Sequence, residues 1–253
     1  MEYNLIYPKK SLGQNFLFDK NICKKIVNLS KIYNQEIIEI GPGTGNLTDH
    51  ILEKRPKKIT LIEKDPQLYD LLKEKYSKIN NLELINCDAL KYNFNKNKKT
   101  QKIISNLPYN ISIKIIFNLI KLNNIISEMI LMIQKEVAEK MVYENNKKNN
   151  RLNTFMKFTS KFNIEFNVSN KVFYPKPKIT SSVIRIIPKR NLNINIDKLE
   201  NFTRDIFKHK RKKLSNVISI KSNQKGIIEI LNKRAEDLDN KELKILFNKF
   251  YNF

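Results

Sequence analysis

The chain has 253 residues, of which 41% are hydrophobic, and its 48 basic and 25 acidic residues give a net charge of +23. A chain of this size folds as one large domain, or as one large and one small domain, without needing disulfides. It contains no run of about 18 apolar residues that would predict a membrane span, and Met1–Lys10 lack the apolar stretch of a secretory signal. We therefore expect a cytoplasmic protein that does not bind a membrane.

The excess of positive charge favours a polyanionic partner, RNA above all. Part of it reflects a sequence rich in Lys, Asn and Ile, as in proteins from AT-rich genomes, and runs such as 95–99 and 145–150 are typical of solvated loops. The imbalance that remains predicts affinity for nucleic acid without sequence preference. Cys23 and Cys87 have neither metal-ligand nor disulfide spacing, so we expect buried thiols in a reducing compartment and no metal site.

The predicted elements alternate between strand and helix over the first part of the chain. Strands are predicted at 36–40, 58–63, 82–85, 102–105 and 128–133, and helices at 46–52, 66–76, 113–120 and 136–143. This alternation predicts an α/β fold, a Rossmann-like sheet with helices on both faces. Ligands bind such sheets beyond the carboxyl ends of the strands, which is where Gly41, Glu63, Asp88 and Asn106 lie.

After residue 172 the alternation of predicted strands and helices ends. A Pro-stiffened extended segment, 173–178, leads into a further strand at 182–187. The remaining predicted elements are helices at 196–207, 213–220, 225–232 and 240–250. We place the domain boundary near Lys189, which gives an α/β domain over 1–188 and a small all-helical domain over 189–253.

A glycine-rich loop, Gly41-Pro-Gly-Thr-Gly45, follows the first of these strands directly. Glycines there let the backbone approach a ligand closely. Such a loop binds pyrophosphate in dinucleotide enzymes and the amino-acid part of S-adenosylmethionine in methyltransferases. The spacing is not that of the dinucleotide fingerprint, and Pro42 removes an N–H donor. Alone, the motif also fits a tight turn with no ligand.

Two carboxylates stand at the next two strand ends. Glu63, about twenty residues beyond the glycines, could accept hydrogen bonds from both hydroxyls of a ribose. Asp88 could receive the amino group of an adenine, although an Asp at this point also caps helices. Each is ambiguous alone. Together with the glycine loop they favour a nucleoside cofactor, because an accidental match would have to occur at three strand ends.

The fourth strand ends at Asn106-Leu107-Pro108-Tyr109. Pro108 holds Leu107 extended, which helps to aim the Leu107 carbonyl, and Asn106 offers a side-chain carbonyl. Adenine N6 is a poor nucleophile, because its lone pair is delocalised into the ring. Hydrogen bonds from N6–H to two fixed acceptors favour a more pyramidal nitrogen, whose lone pair is available for methyl transfer. Tyr109 offers a flat face for an extruded base. A structural Asn-Pro turn with a core tyrosine is the alternative.

Together these motifs resemble those of the ribosomal RNA adenine N6,N6-dimethyltransferases (the KsgA family) over nearly the whole chain. The matching stretches are 9–17, 39–43, 106–109, 134–138 and 173–183. The resemblance implies S-adenosylmethionine as cofactor, bound by Gln14, Asn15, Leu17, Gly41, Gly43, Glu63, Asp88 and Asn106. It implies catalysis at Asn106, Leu107, Pro108 and Tyr109, with Phe173 flanking the target base opposite Tyr109.

The family has two branches. One dimethylates two adjacent adenines near the 3′ end of small-subunit (16S) RNA, and the antibiotic-resistance branch methylates one adenine of large-subunit RNA. Leu107, where the resistance branch tends to have Ile, favours the small-subunit branch, as do 134–139, 207–216 and 234–238. The stretch from Tyr174 to Val183 and the short C-terminal domain also resemble the resistance branch.

We therefore expect a dimethyltransferase with a role in small-subunit biogenesis, a monomer whose partners are the small ribosomal subunit and its rRNA. A basic segment is expected to bind this RNA, with a solvated helix start as the alternative: Lys208, Lys210, Arg211, Lys212 and Lys213. His50 and His209 are not expected to be catalytic. The alternatives are a large-subunit methyltransferase and a mainly non-catalytic assembly factor, while the missing dinucleotide fingerprint disfavours a dehydrogenase.

Overall fold

The computed structural model describes residues 8–9, 12–96, 99–142, 148–209, 211–219 and 225–251. Its strands are β1 (Phe16–Leu17), β2 (Glu36–Ile40), β3 (Lys58–Glu63), β4 (Leu82–Asn86), β5 (Gln101–Asn106), β6 (Ile126–Gln134), β7 (Ser160–Val168), β8 (Phe173–Tyr174) and β9 (Ser181–Pro188). Its α-helices are α1 (Lys20–Val27), α2 (Asn46–Glu53), α3 (Pro66–Lys75), α4 (Ser112–Ile120), α5 (Lys135–Met141), α6 (Arg151–Thr159), α7 (Ile196–Ile206), α8 (Lys225–Leu231) and α9 (Asn240–Tyr251). None of the helices in these ranges is long and apolar enough to cross a membrane.

The main sheet has seven strands in the order β4-β3-β2-β5-β6-β9-β7. Neighbours from β4 through β6 are parallel, and β9 joins β6 antiparallel. The chain runs outward from β2 through β3 to β4 and then returns to β5 on the other side of β2. The predicted Rossmann-like sheet is thus confirmed. The reversal between β2 and β5 is a topological switch point, where the loops after both strands leave a crevice for a ligand.

The inner parallel strands read as continuous apolar runs because helices cover both faces of the sheet. In β2, Ile37, Ile38 and Ile40 are all buried, and the same holds for Ile103 and Ile104 of β5. Side chains of both faces are removed from water, so a polar side chain in these strands needs a specific partner or a ligand. Three buried polar side chains, Glu39, Glu63 and Ser105, lie towards the carboxyl ends of the strands, near the site described below.

The chain divides into two units, Met1–Ala138 with Phe162–Arg190 and Glu139–Lys161 with Asn191–Phe253. The predicted boundary between 188 and 189 lies beside the break after Arg190. The predicted domains place 139–161 in the first unit, but the structure groups it with the second. Polar contacts within the second unit are one reason for this grouping. The Asn149 N–H donates to the Glu236 carbonyl at 2.9 Å, and the Lys148 ammonium pairs with the Glu236 carboxylate at 2.6 Å.

The second unit is mainly helical, as predicted. Its core includes Leu199 and Phe202 of α7 and Leu246 of α9, and the rings of Phe202 and Phe247 meet edge to face at 5.4 Å. The helix predicted over 213–220 is wrong within the described residues. A single 3₁₀ turn, Leu214–Asn216, stands there instead. The Leu214 N–H donates to the Lys233 carbonyl at 2.9 Å, so the backbone bonds to another segment rather than continuing a helix.

Candidate active site

One cavity lies beyond the carboxyl ends of β2, β3 and β5, at the switch point of the sheet. Its wall includes the segment around β1, the glycine loop and the turns after β3, β4 and β5. All the predicted cofactor residues and the whole tetrapeptide line it: Gln14, Asn15, Leu17, Gly41, Gly43, Glu63, Asp88, Asn106, Leu107, Pro108 and Tyr109. Positions far apart in the sequence thus meet in one place, as the rule for parallel sheets predicts.

The glycine loop lets a ligand in the cavity come close to its backbone. Gly43 has φ of +61°, a left-handed conformation that favours glycine, and a Cβ added there would lie 3.0 Å from the Phe16 ring. The loop is held from behind by Tyr76, whose hydroxyl donates to the Gly45 carbonyl at 2.9 Å. A side chain at Gly43 would therefore collide with the Phe16 ring in the cavity wall. Glycine at this position avoids the collision.

Glu63 closes the end of β3 as a buried carboxylate, 5% exposed. Its Oε1 accepts the Asp65 N–H at 2.8 Å and its Oε2 accepts the Gly43 N–H at 3.3 Å. Burial raises the pKa of this carboxyl, against the opposing effect of these two backbone donors. Each oxygen keeps a further lone pair, so the group can accept two more hydrogen bonds from a diol in the cavity.

Asp88 makes the internal bond that the capping alternative predicts, and it also lines the cavity. Its Oδ1 accepts the Leu90 N–H at 2.9 Å, a turn bond of the capping kind, and its Oδ2 accepts from the Lys64 ammonium at 2.9 Å. The bond from Lys64 is the main reason that the pKa of Asp88 is lowered. The carboxylate therefore stays ionised at the cavity wall, with acceptor capacity beyond its internal partners.

Asp65 is a residue that supports this site without lining the cavity, and the sequence does not single it out. It caps α3 through the Gln67 N–H, and its carboxylate also binds the Lys9 ammonium at 2.7 Å and the Gln14 side-chain amide at 2.8 Å. It thereby ties the N-terminal segment to the turn that carries Glu63. An Asp directly before a proline at a helix start is a recognised N-cap pattern, but this pattern does not indicate the longer-range bonds.

Glu39 is a second residue that the sequence does not single out, a carboxylate near the end of β2 that is 1% exposed. It lines the cavity, and its Oε2 accepts the Thr48 hydroxyl at 2.7 Å. Burial raises the pKa of the Glu39 carboxyl to about 8, although the Thr48 bond acts in the opposite direction. The folded protein therefore holds a proton here at pH values where the unfolded chain has released it.

We expect Glu39→Gln to flatten the pH dependence of stability. With an ordinary pKa of 4.5 in the unfolded chain and about 8 in the folded one, the contribution of Glu39 is fully present below pH 4.5 and is lost as the pH rises through 8. At about 1.4 kcal/mol per pKa unit, the loss is at most roughly 5 kcal/mol. Urea unfolding of both proteins between pH 5 and pH 9 measures it.

Glu36→Gln, on the same strand but only partly buried, is the matched control and should keep the wild-type pH profile. Parallel stability curves for wild type and Glu39→Gln would contradict the assignment of the buried proton to Glu39.

Asn106 carries the most informative feature of the cavity. Its side-chain Nδ2 donates to the Asn15 carbonyl at 3.1 Å. Because a backbone carbonyl can only accept, this bond fixes which way the amide points. Its Oδ1 is buried, and no donor in the described part of the chain reaches it. A buried acceptor without a donor costs about 1–3 kcal/mol, so a fold that keeps one in a ligand cavity points to a donor on the ligand.

The rest of the tetrapeptide is held just as firmly. The Leu107 N–H donates to the Met132 carbonyl at 3.1 Å, and the Leu107 side chain is 1% exposed. The Tyr109 hydroxyl lies 2.5 Å from the Ser181 hydroxyl at the start of β9, and burial raises the pKa of Tyr109. These contacts fix the backbone of the loop and leave the half-buried Tyr109 ring at the cavity wall.

The structure places Phe173 elsewhere than predicted. Phe173 is 2% exposed, belongs to the hydrophobic core with Leu17 and Cys23, and is absent from the cavity lining within the described residues. In this position its ring has no free face for a base opposite Tyr109. The reason is strand alternation: Phe173 pairs with Leu17 on the inner face of the β1–β8 ribbon, whereas the next residue, Tyr174, is 64% exposed.

The basic segment lies in the second unit. Lys208, Arg211, Lys212 and Lys213 are all exposed, and Lys210 lies outside the described residues. Lys208 follows α7 and 211–213 precede the 3₁₀ turn at Leu214–Asn216, so the described residues of this segment form a loop rather than the start of a helix. Among the described residues, no cluster of three or more His, Cys, Asp or Glu side chains could hold a metal ion.

Comparison with known proteins identifies the family. A family model described as ribosomal RNA adenine dimethylase matches residues 7–248. The chain belongs to this family. It is 40% identical, over 92% of its length and 85% of the relative, to a protein of Malacoplasma penetrans named ribosomal RNA small subunit methyltransferase A. It is 37% identical, over 94% of its length and 96% of the relative, to the protein of that name in Mycoplasma mobile.

Solved structures agree with this assignment. A dimethyladenosine transferase from Plasmodium falciparum superposes with a TM-score of 0.75 at 29% identity, covering 92% of this chain and 98% of the other. The 23S rRNA methyltransferase ErmE superposes with a TM-score of 0.72, but at 21% identity, covering 93% and 99%, it shares only the fold. As a ribosomal RNA adenine dimethylase, the protein is an enzyme that methylates adenine in ribosomal RNA.

Proposed function

We propose that this ribosomal RNA adenine dimethylase transfers methyl groups from S-adenosylmethionine to N6 of two adjacent adenines near the 3′ end of small-subunit RNA, during subunit biogenesis. The buried Oδ1 of Asn106 carries the proposal, because Asn106 lines the cavity and no donor among the described residues reaches this acceptor. Glu63, Asp88 and the bare glycine loop support a nucleoside cofactor in the same cavity.

The residues of the chain have the following roles in the transfer. S-adenosylmethionine, when bound, supplies a methyl group from its sulfonium and leaves as the neutral thioether. In the first transfer the Asn106 Oδ1 and the Leu107 carbonyl accept the two N–H bonds of adenine N6, and in the second transfer one of them accepts the single N–H that remains. These bonds direct the nitrogen lone pair towards the methyl group. Tyr109 stacks on the base. The N6 proton is then lost to water, because an N-methylated adenine cation is acidic, so no strong base is needed in the cavity.

The choice of small-subunit RNA is supported by sequence. The relatives named small subunit methyltransferase A match over more than nine tenths of the chain at 37–40% identity, whereas ErmE matches at 21%. The test is to incubate the protein with labelled cofactor and with unmodified small and large subunits separately, and then to map the methylated adenines. Label in the large-subunit RNA would overturn the choice, and binding to small subunits without any methylation would favour a non-catalytic assembly role.

We further propose that the exposed basic loop formed by Lys208 and 211–213 binds the phosphates of this RNA. Replacing Arg211, Lys212 and Lys213 together with alanine should weaken RNA binding for all sequences alike. It should also lower the salt slope of log K by about one for each phosphate that the variant no longer neutralises. Binding isotherms at several salt concentrations measure both quantities.

The matched control replaces three exposed lysines at the amino end of the main sheet, Lys54, Lys57 and Lys78. It removes the same charge from the protein. If both triple variants lose the same affinity and the same salt slope, the effect is one of net charge and the basic loop has no special role.

A further inference from the structure

The short ribbon formed by β1 and β8 has two different faces. Phe16 lies opposite Tyr174, and Leu17 lies opposite Phe173. Residues directly opposite in an antiparallel pair point to the same side, with Cβ atoms about 5 Å apart. Leu17 and Phe173 are 5% and 2% exposed and belong to the core. Phe16 and Tyr174 therefore share the outer face of the ribbon.

This outer face borders the cavity. Phe16 lines the cavity and lies against the glycine loop. Tyr174, its cross-strand neighbour, is 64% exposed, so an aromatic ring stands in water beside the place where the cofactor is proposed to bind. Phe18 adds a second ring: it is 53% exposed, and its N–H donates to the Val172 carbonyl at 3.1 Å, which keeps it on the same ribbon.

Exposed lysines lie close in sequence to both exposed rings. Lys20 follows Phe18 closely, and Lys171, Lys176 and Lys178 flank Tyr174; all four are exposed. Exposed aromatic rings among lysines are the chemical pattern of a surface for single-stranded nucleic acid, where bases stack on the rings and phosphates pair with the ammonium groups.

The segment after Tyr174 also contacts the tetrapeptide at the end of β5. It runs on to Ser181, whose hydroxyl lies 2.5 Å from that of Tyr109. Tyr109 itself lines the cavity as part of the tetrapeptide. One stretch of chain, 174–181, therefore connects the exposed rings to the loop at which the target adenine is proposed to sit.

We propose that Tyr174, assisted by Phe18, is a stacking platform for an unpaired RNA base next to the adenine that enters the cavity. The inference rests on the proposed function, since it takes adenine in RNA as the substrate. Phe173, which is buried on the inner face of the ribbon, takes no part in this platform. The platform holds the flanking nucleotide, and the flanking lysines hold its phosphates.

The test uses the full-length protein and an RNA hairpin with two adjacent unpaired adenines, in which the neighbouring base is the fluorescent analogue 2-aminopurine. Tyr174→Ala should lower kcat/KM for this RNA by about 5- to 100-fold, the range for loss of one base–aromatic stack. Phe18→Ala should have a smaller effect, and Tyr174→Phe, which keeps the ring, should remain near wild type. The affinity for S-adenosylhomocysteine should not change in any of these variants.

The matched control is Tyr33→Ala. Tyr33 is 65% exposed, like Tyr174, but precedes β2 at the amino end of the sheet, so its loss should have no effect. Without any methyl donor, wild-type protein and Tyr33→Ala should quench the 2-aminopurine fluorescence, and Tyr174→Ala should not. This readout needs no catalysis, so it separates a failure of the platform from a failure of the proposed function.

Two results would overturn the proposal. One is a kcat/KM for RNA within twofold of wild type in Tyr174→Ala, with unchanged quenching. The other is weaker cofactor binding in Tyr174→Ala of the same size as the loss for RNA, since this would mean that Tyr174 acts by supporting Phe16. A third result would separate the two proposals. If the quenching depends on Tyr174 but the wild-type protein methylates neither subunit, the platform is supported and the proposed reaction is refuted.

Discussion

Replacing Asn106 with alanine is expected to lower methyl transfer by about 10²- to 10³-fold, the size of effect that removal of one preorganised hydrogen-bonding group has in other active sites. The substitution deletes the buried Oδ1 that has no partner of its own among the described residues. The cost should fall on kcat rather than on folding, because the deleted oxygen stabilises nothing inside the protein. Single-turnover transfer of tritiated methyl groups to unmodified small subunits measures the effect.

The substitution also deletes the bond from Nδ2 to the Asn15 carbonyl, so a control is needed for that loss. Asn81→Ala removes a similar bond, from the Asn81 side chain to the Pro56 carbonyl at 2.8 Å, at the amino end of the sheet. Asn81→Ala should keep full activity. An Asn106→Ala protein that is folded and as active as this control would exclude the proposed role of Oδ1.

The second large effect is expected for Glu63→Gln, which should weaken the binding of S-adenosylhomocysteine by about 10- to 100-fold, as expected for a lost hydrogen bond to a charged group. Because the pKa of Glu63 is raised by burial, wild-type binding should also weaken as the pH falls through this raised pKa and the carboxylate is protonated. The variant should lack this acid limb. Titration calorimetry between pH 5 and pH 8 measures both effects.

The glutamine would also face the backbone N–H groups of Gly43 and Asp65, so some loss could come from a disturbed loop. The 2′-deoxy analogue of the ligand separates the two causes. If Glu63 binds the ribose, wild type should discriminate against the analogue and Glu63→Gln should not. Equal discrimination in both proteins would argue against a ribose contact. Glu74→Gln, on the exposed part of α3, should behave as wild type in every assay.

The sequence was sufficient for those parts of the site that depend on strand ends. Gly41, Glu63, Asp88 and Asn106 each end or follow a strand whose apolar run is unmistakable, and parallel strands bring their carboxyl ends to one edge. Three-dimensional proximity then follows from topology alone. The same logic says nothing about residues inside a strand, such as the buried Glu39.

Other features had weaker or no local signals. Two-residue strands such as β1 and β8 show no period, so the sequence could not tell that Phe173 points inward and Tyr174 outward. By contrast, β7 has alternating apolar residues at Phe162, Ile164 and Phe166, a pattern typical of a strand. Asn163 and Glu165 lie between them as the polar positions of this alternation, so this strand carries a local signal although no element is predicted there above. The packing of 139–161 with the second unit depends on long-range contacts that no local pattern encodes.

The pairing of β1 with β8 also bears on when the enzyme becomes competent during its synthesis. The N-terminal segment is translated first, yet Phe16 and Leu17 find their strand partners only when Tyr174 and Phe173 have left the ribosome. Contacts between such distant residues form late because a long loop must be closed. The cavity wall that β1 provides is therefore completed only after residue 174 has been translated, well after the strands β2 to β6 that carry the rest of the cavity.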